Sequence, residues 1–292
     1  MSTKNIEIVV APREPHYVGD GFRVHNFNPS AYRLDMERMT PFIMLDYNAP
    51  FYFPPTDKPK GVGVHPHRGF ETVTIAYKGR VAHHDSSGGG GVIAEGDVQW
   101  MTAGSGILHK EFHEETFSET GGDFQMVQLW VILPAKHKMA PPKYQAIAHA
   151  NIQTFELPNN GGVVEVIAGE YEHVKGAATT FTPVHLLNVK INKDAHVPFH
   201  FPAHYNTALL VISGSVIING DETVPANHFA LFANDGESFT LQALEDAIVL
   251  VLSGEPINEP IAAHGPFVMN TREEIVEAIQ DFNLGKFGYL AD

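Results

Sequence analysis

Short runs of β-branched and aromatic residues, cut at close intervals by turn formers, restrict this chain more than any other feature. Val73–Tyr77 (VTIAY), Val98–Met101 (VQWM), Met126–Leu133 (MVQLWVIL), Val163–Ala168 (VVEVIA), Ala208–Ile212 (ALLVI) and Val216–Ile218 (VII) are each too short for an ordinary helix. Their side chains suit a pleated, half-buried surface. Between them fall Lys78-Gly79, Glu95-Gly96, Gly121-Gly122, Ser213-Gly214, Asn219-Gly220 and Asp235-Gly236. Asn-Gly tolerates the positive φ of a tight hairpin, so the strands flanking Asn219-Gly220 pair antiparallel. The pattern predicts an all-β, mostly antiparallel protein.

A chain of 292 residues with 43% apolar composition can fill two domains of about 140 residues each. The segment Leu133–Tyr144 (LPAKHKMAPPKY) mixes charge with three prolines, which remove amide donors and exclude a central strand. We therefore expect an extended connector there and domains at 1–134 and 135–292. Setting Gly79 against Gly214 aligns VTIAYKG with ALLVISG, an internal echo that suggests duplication. At the far end Thr271-Arg-Glu-Glu274 is a capping box ahead of Ile275–Phe282, predicting a short helix with an Ile275, Ile279, Phe282 stripe and a stop at Gly285.

With 19 basic against 34 acidic residues the net charge is −15, which disfavours direct binding to nucleic acid or to anionic membranes. No run approaches the roughly 20 apolar residues of a membrane-spanning helix, and the opening stretch has no apolar signal segment, so a cytoplasmic, membrane-free protein is expected. A monomer is expected as well. The glycine run at 86–91 lacks the Lys-Ser/Thr partner of a phosphate-binding loop.

Among 17 histidines, arrangement matters more than number. Gly61–Glu71 (GVGVHPHRGFE) and Gly104–Glu111 (GSGILHKE) each place two potential ligands at i and i+2, on one face of a strand. His65 with His67, and His109 with Glu111, can thus point into one barrel, with Lys110 facing away. Imidazole and carboxylate donors suit a borderline divalent metal, and the absence of cysteine excludes thiolate sites. Glu71 shares the parity of His65 and His67 and is an alternate ligand to the preferred Glu111. His83 and His84 are adjacent and so face oppositely, which favours a hydrogen-bonding role for His83-His84-Asp85. In the echo His65 meets His200, but His67 meets Pro202 and Glu71 meets Asn206. A second site built from His196, His200, His204 and His228 is therefore disfavoured.

The stretches His65–Thr74 (HPHRGFETVT), Gly96–His109 (GDVQWMTAGSGILH) and Gln128–Pro134 (QLWVILP) resemble the pirin family of the cupin superfamily. The resemblance implies a bicupin, two antiparallel β-barrels face to face with a short C-terminal helix, carrying Fe2+ in the first barrel and a degenerate second barrel. It implies the ligand set His65, His67, His109 and Glu111, with other divalent transition metals able to occupy the site in purified protein. It also implies an iron-dependent dioxygenase that opens the ring of a flavonol such as quercetin, with dioxygen as co-substrate and carbon monoxide released. Glu111 is the candidate catalytic residue, as acceptor of the substrate hydroxyl proton. Phe70, Tyr77, Trp100 and Trp130 are candidate walls of an aromatic pocket, and Arg68 a candidate for orienting an anionic substrate or pairing with an acid. The alternative drawn from the same family is a metal-dependent, redox-sensitive interaction protein that regulates transcription or metabolism through a protein partner.

Overall fold

The computed structural model describes residues 2–32 and 34–291. Strand dominates: among these residues the α-helices are Glu115–Thr120 and Arg272–Asn283, with a few single 3-10 turns. Contacts gather the chain into two compact units, each discontinuous in sequence.

One unit comprises 14–37, 42–149 and 257–292. Its larger sheet has seven strands in the spatial order Lys143–Ile147, Val98–Thr102, Phe70–Lys78, Gly122–Ile132, Phe42–Phe53, Phe22–Asn26 and His16–Val18. Its smaller sheet has four, in the order Gly61–His67, Ile107–His113, Val81–Asp85 and Gly90–Ile93. Neighbouring strands pair antiparallel. Gly122–Ile132 runs centrally, with Leu129 opposite Leu45 on one side and Val73 on the other. Phe22, Val24, Phe53, Ala76, Val81, Ile93, Phe124 and Met126 form an apolar cluster within the unit.

The second unit comprises 1–13, 38–41 and 150–256. It repeats the seven-plus-four arrangement, its four-stranded sheet running His196–His200, Ser238–Ala243, Ser215–Ile218 and Glu222–Pro225. That order reproduces the small sheet of the first unit strand for strand. The aligned glycines Gly79 and Gly214 both adopt positive φ, 81° and 73°. The internal echo is thus a repeated topology. Its interior is different: Val197, Phe199, Phe232, Phe239 and Leu241 are buried together where ligands would have to point, while His196, His200 and His204 are exposed. Groups able to hold a metal occur only in the first unit among the described residues.

Against the expected division at 134/135, residues 135–149 group with the first unit, and the two units exchange their ends. Ile6–Val10 pairs with Phe229–Phe232 in the second unit. Ala262–His264, Phe267–Met269 and the C-terminal helix pack in the first, through Phe267, Met269, Ile275, Ala278 and Phe287. The proline-rich connector ends in an edge strand, Lys143–Ile147, which pairs with Val98–Thr102.

The predicted capping box is present: Thr271 Oγ1 accepts from the Glu274 amide, and Glu274 accepts from the Thr271 amide. The helix stops at Asn283, and Gly285 follows with φ 74°. The expected apolar stripe is present in part: Ile275 is buried, Ile279 packs against the same cluster, and Phe282, 38% exposed, has its ring beside Phe267 and Phe287; Ala278 and Asp281 are the other buried positions. Asp281 faces inward because Arg68 meets it, Nη2 to Oδ2 at 2.9 Å. No described helix is long and apolar enough to cross a membrane.

Candidate metal centre and adjoining cleft

Strand alternation builds this site. Along Ile107–His113 every second residue is buried, so Ile107, His109, Glu111 and His113 share the interior face while Lys110 lies on the other. His109 sits opposite His65 on one neighbouring strand and opposite Asp85 on the other, and Glu111 sits opposite His83. After His67 the chain passes to the other sheet at Gly69 (φ 90°), where a Cβ would meet the Val268 carbonyl at 2.0 Å. Only glycine allows that approach.

His65, His67 and His109 converge, with ring centroids 4.1 Å apart for His65–His109, 4.7 Å for His67–His109 and 4.9 Å for His65–His67. Each offers one nitrogen within 4.8 Å of the others. Glu111 joins a second group with His83 and His109, so His109 is common to both. The Nδ1 of His65 is turned to the Gly63 carbonyl at 2.8 Å and that of His67 to the Pro266 carbonyl at 3.4 Å, which leaves the Nε2 of each ring uncommitted by these contacts. His109 Nδ1 lies 3.4 Å from His83 Nδ1, and its Nε2 is buried with no partner. A buried imidazole nitrogen without a partner costs free energy. Coordination of an ion would satisfy it, so the donor set fits a borderline divalent metal.

The electrostatics agree. Burial, reinforced by the neighbouring imidazoles, pushes His67 down to about 3 and His109 well below its ordinary value, so both are neutral donors near pH 7. Burial would raise Glu111, but the hydrogen bond and charge of His83 and the amide of Gln128 hold it below the usual carboxylate range. Gln128 Nε2 donates to both carboxylate oxygens, at 2.9 and 3.2 Å. Burial would lower His83, and Asp85 and Glu111 raise it instead. His83 and Asp85 lie inside and His84 is exposed, with His83 Nε2 3.4 Å from Asp85 Oδ2. Asp85 is in turn held by Ser87 and the Gly89 amide.

Glu71 is not with these groups. Gly69 breaks the strand, and the two segments enter different sheets, so parity does not carry from His67 to Glu71. Glu71 lies opposite Thr102 and accepts from its hydroxyl at 2.7 Å.

The four aromatic candidates divide. Phe70 and Trp130 stack at 4.2 Å, and their rings lie 5.0 and 5.2 Å from His67, so they buttress that imidazole. Neither Tyr77 nor Trp100 lines the cleft beside the cluster, a correction to the expectation. Phe70, Thr74 and Ala76 face the interior on their strand, which turns Glu71, Val73 and Ile75 to the opposite face, and the register shifts at Tyr77. Trp100 is paired with Val73 and shares that face. Arg68 is 3% exposed; it donates Nε to the Ser105 carbonyl at 2.7 Å and pairs with Asp281, the acid-pairing role of the two expected.

A narrow cleft of about 40 Å³ adjoins the cluster. His65 and Glu111 line it together with Asp46, Asn48 and Gln128, and Val18, Phe22, Val24, Val62 and Met126 supply its apolar wall. Asp46, Asn48 and Gln128 were not expected from sequence. The signal was there in the i, i+2 spacing of Asp46 with Asn48 and Met126 with Gln128, but nothing local says which face of these strands looks inward.

Two family models match this chain, Pirin over residues 21–131 and the Pirin C-terminal cupin domain over 186–288. A Pseudomonas aeruginosa protein named as a candidate quercetin 2,3-dioxygenase is 48% identical over 93% of this chain and 94% of its own length. A pirin-like protein of Solanum lycopersicum is 37% identical over 93% of this chain and 89% of its own. The crystal structure of a quercetin 2,3-dioxygenase from Acinetobacter baumannii superimposes with a TM-score of 0.93 at 49% identity, covering 99% of this chain and all of that one (100%). With two cupin domains of matching topology and, among the described residues, a histidine-rich centre in the first, the chain belongs to the pirin family.

Proposed function

We propose that this protein is an iron-dependent dioxygenase that opens the ring of a flavonol such as quercetin. The observation that supports the reading is the convergence of His65, His67 and His109, with Glu111 grouped beside His109 and His83, next to a cleft that His65 and Glu111 line and whose lining is part apolar. Support comes from the names of the Pseudomonas and Acinetobacter relatives. His65, His67 and His109 would hold Fe2+, with Glu111 as the fourth donor. Bound Fe2+ supplies Lewis acidity toward a substrate hydroxyl and a redox path to dioxygen.

The side chains do the rest. Val18, Phe22, Val24, Val62 and Met126 enclose an aromatic face and exclude water from it. Glu111 accepts the proton of the ring hydroxyl. Its low pKa keeps it ionised and ready at neutral pH, but makes it a weak base, so the hydroxyl must be acidified where it binds. Gln128 fixes both carboxylate oxygens and thereby the direction of proton transfer. Phe70 and Trp130 hold the His67 ring in place.

The test is Glu111→Gln on anaerobically iron-loaded protein, with metal content, dioxygen uptake and quercetin loss read together. The variant is expected to fold, to keep bound iron through the three histidines and to lose turnover by about 100-fold, within the usual range for a general base. Turnover at the parent rate by a metal-replete variant removes Glu111 from proton transfer. Parent protein that binds iron yet consumes neither dioxygen nor quercetin defeats the dioxygenase reading.

A further inference from the structure

Asn48 is 2% exposed, lines the cleft, and has both its Oδ1 and its Nδ2 buried without a hydrogen-bond partner. The other polar groups of the cleft are engaged. Gln128 gives its amide to Glu111, Asp46 accepts from Asn26, and His65 Nδ1 is turned to the Gly63 carbonyl. A carboxamide that leaves both its donor and its acceptor unpaired destabilises the empty protein, because each group has given up water for nothing. Such a residue is explained when a bound molecule completes it.

The strand register fixes where it points. Asn48 lies opposite Met126, and Asp46 opposite Gln128, so these four side chains share one inward face across two paired strands. Asn48 is thus two residues farther along the strand than Asp46, whose partner Gln128 touches Glu111. A ring that presents one hydroxyl to Glu111 therefore reaches Asn48 with a different part of its edge.

We infer that Asn48 is a specificity-determining residue that reads a second oxygen pair on the aromatic substrate, donating from Nδ2 to one oxygen and accepting at Oδ1 from a neighbouring hydroxyl. The substrate class is then a polyhydroxylated aromatic, and a ring carrying only the reacting hydroxyl and its carbonyl is a poor fit. This rests on the flavonol reading above and adds the side chain that selects among flavonols.

The probes are quercetin and 3-hydroxyflavone, which keeps the reacting hydroxyl and adjacent carbonyl and lacks the others. Relative kcat/KM is measured on iron-loaded protein, and Kd by fluorescence quenching on zinc-loaded protein, where no redox turnover intervenes. The parent should prefer quercetin, and Asn48→Leu should cut that preference at least tenfold in both readouts, the order of one lost hydrogen bond to a buried group. Asn48→Ala, which adds no bulk, should cut it similarly. In the absence of ligand Asn48→Leu should melt higher, by about 2–4 °C, since an apolar isostere relieves the orphaned amide.

A preference unchanged within threefold in both variants overturns the role of Asn48 while leaving the flavonol reading intact. If the metal-loaded parent neither binds nor consumes either flavonol, the flavonol reading falls, and this inference with it.

Discussion

Glu71 stores a measurable amount of pH-dependent stability, and Glu71→Gln should reveal it. The carboxyl is 1% exposed, and burial raises it to about 7 from an ordinary 4.5, against the opposing hydrogen bond from the Thr102 hydroxyl at 2.7 Å. Between pH 4.5 and 7 the folded protein therefore keeps a proton that the unfolded chain has released, and stability contributed by this group falls as pH rises through that window. At about 1.4 kcal/mol per pH unit, the carboxylate costs about 3 kcal/mol by pH 8, and nothing below pH 4.5. Glutamine resembles the protonated acid in shape, and its Oε1 can still accept from Thr102. The variant should match the parent near pH 4.5 and exceed it by about 3 kcal/mol at pH 8, a rise of about 6–12 °C in Tm for a unit of this size. Melts of both proteins across pH 4.5–8 give the difference directly, because every other titrating group cancels. Metal content should be unchanged, since Glu71 faces Thr102 and not the histidines. A constant gap between the two curves over this range, or loss of the metal, would refute the assignment of Glu71 to the far face as a buried neutral acid.

Three further results are expected. Gln128→Leu removes both amide contacts to Glu111 and should weaken divalent-metal affinity by about 10–100-fold in a chelator competition, the usual effect of deleting a group that orients a ligand; affinity within twofold of the parent contradicts it. Phe199→Ala, in the apolar interior of the second unit, should cost about 3–5 kcal/mol in denaturant melts yet leave metal stoichiometry at the parent value, and a loss of metal would place a ligand where the structure shows a core. Glu111→Gln and Asn48→Leu should separate chemistry from recognition, the first lowering turnover of both flavonols alike and the second changing their ratio.

Much of the architecture could be read from local chemistry. Alternation within Ile107–His113 and the i, i+2 spacing of His65 and His67 are properties of a strand whatever it packs against, so the inward convergence of the histidines was expected, as was the outward face of Lys110. The turn at Asn219-Gly220 and the capping box at Thr271 follow from hydrogen bonds a few residues long. The failure of the second barrel to gather ligands was visible at Pro202, and the structure adds what fills the space, Val197, Phe199 and Phe239.

Which strand faces which was not local. Parity fails across Gly69 because the chain changes sheets there, which moves Glu71 to the far face, and the pairing of Val73 with Trp100 puts that indole on the same face. Pro266, 199 positions from His67 in sequence, supplies the carbonyl that its Nδ1 meets, and Asp281 in the C-terminal helix meets Arg68. The cleft joins Asp46 and Asn48 to Glu111 and Gln128 through pairing of strands far apart in the chain. Sequence by itself determined the strands, their turns and the residue types able to bind a metal, because these depend on neighbours along the backbone. Tertiary structure decided which of those residues share a face and which buried polar atoms remain unpaired, because both depend on pairing between distant segments.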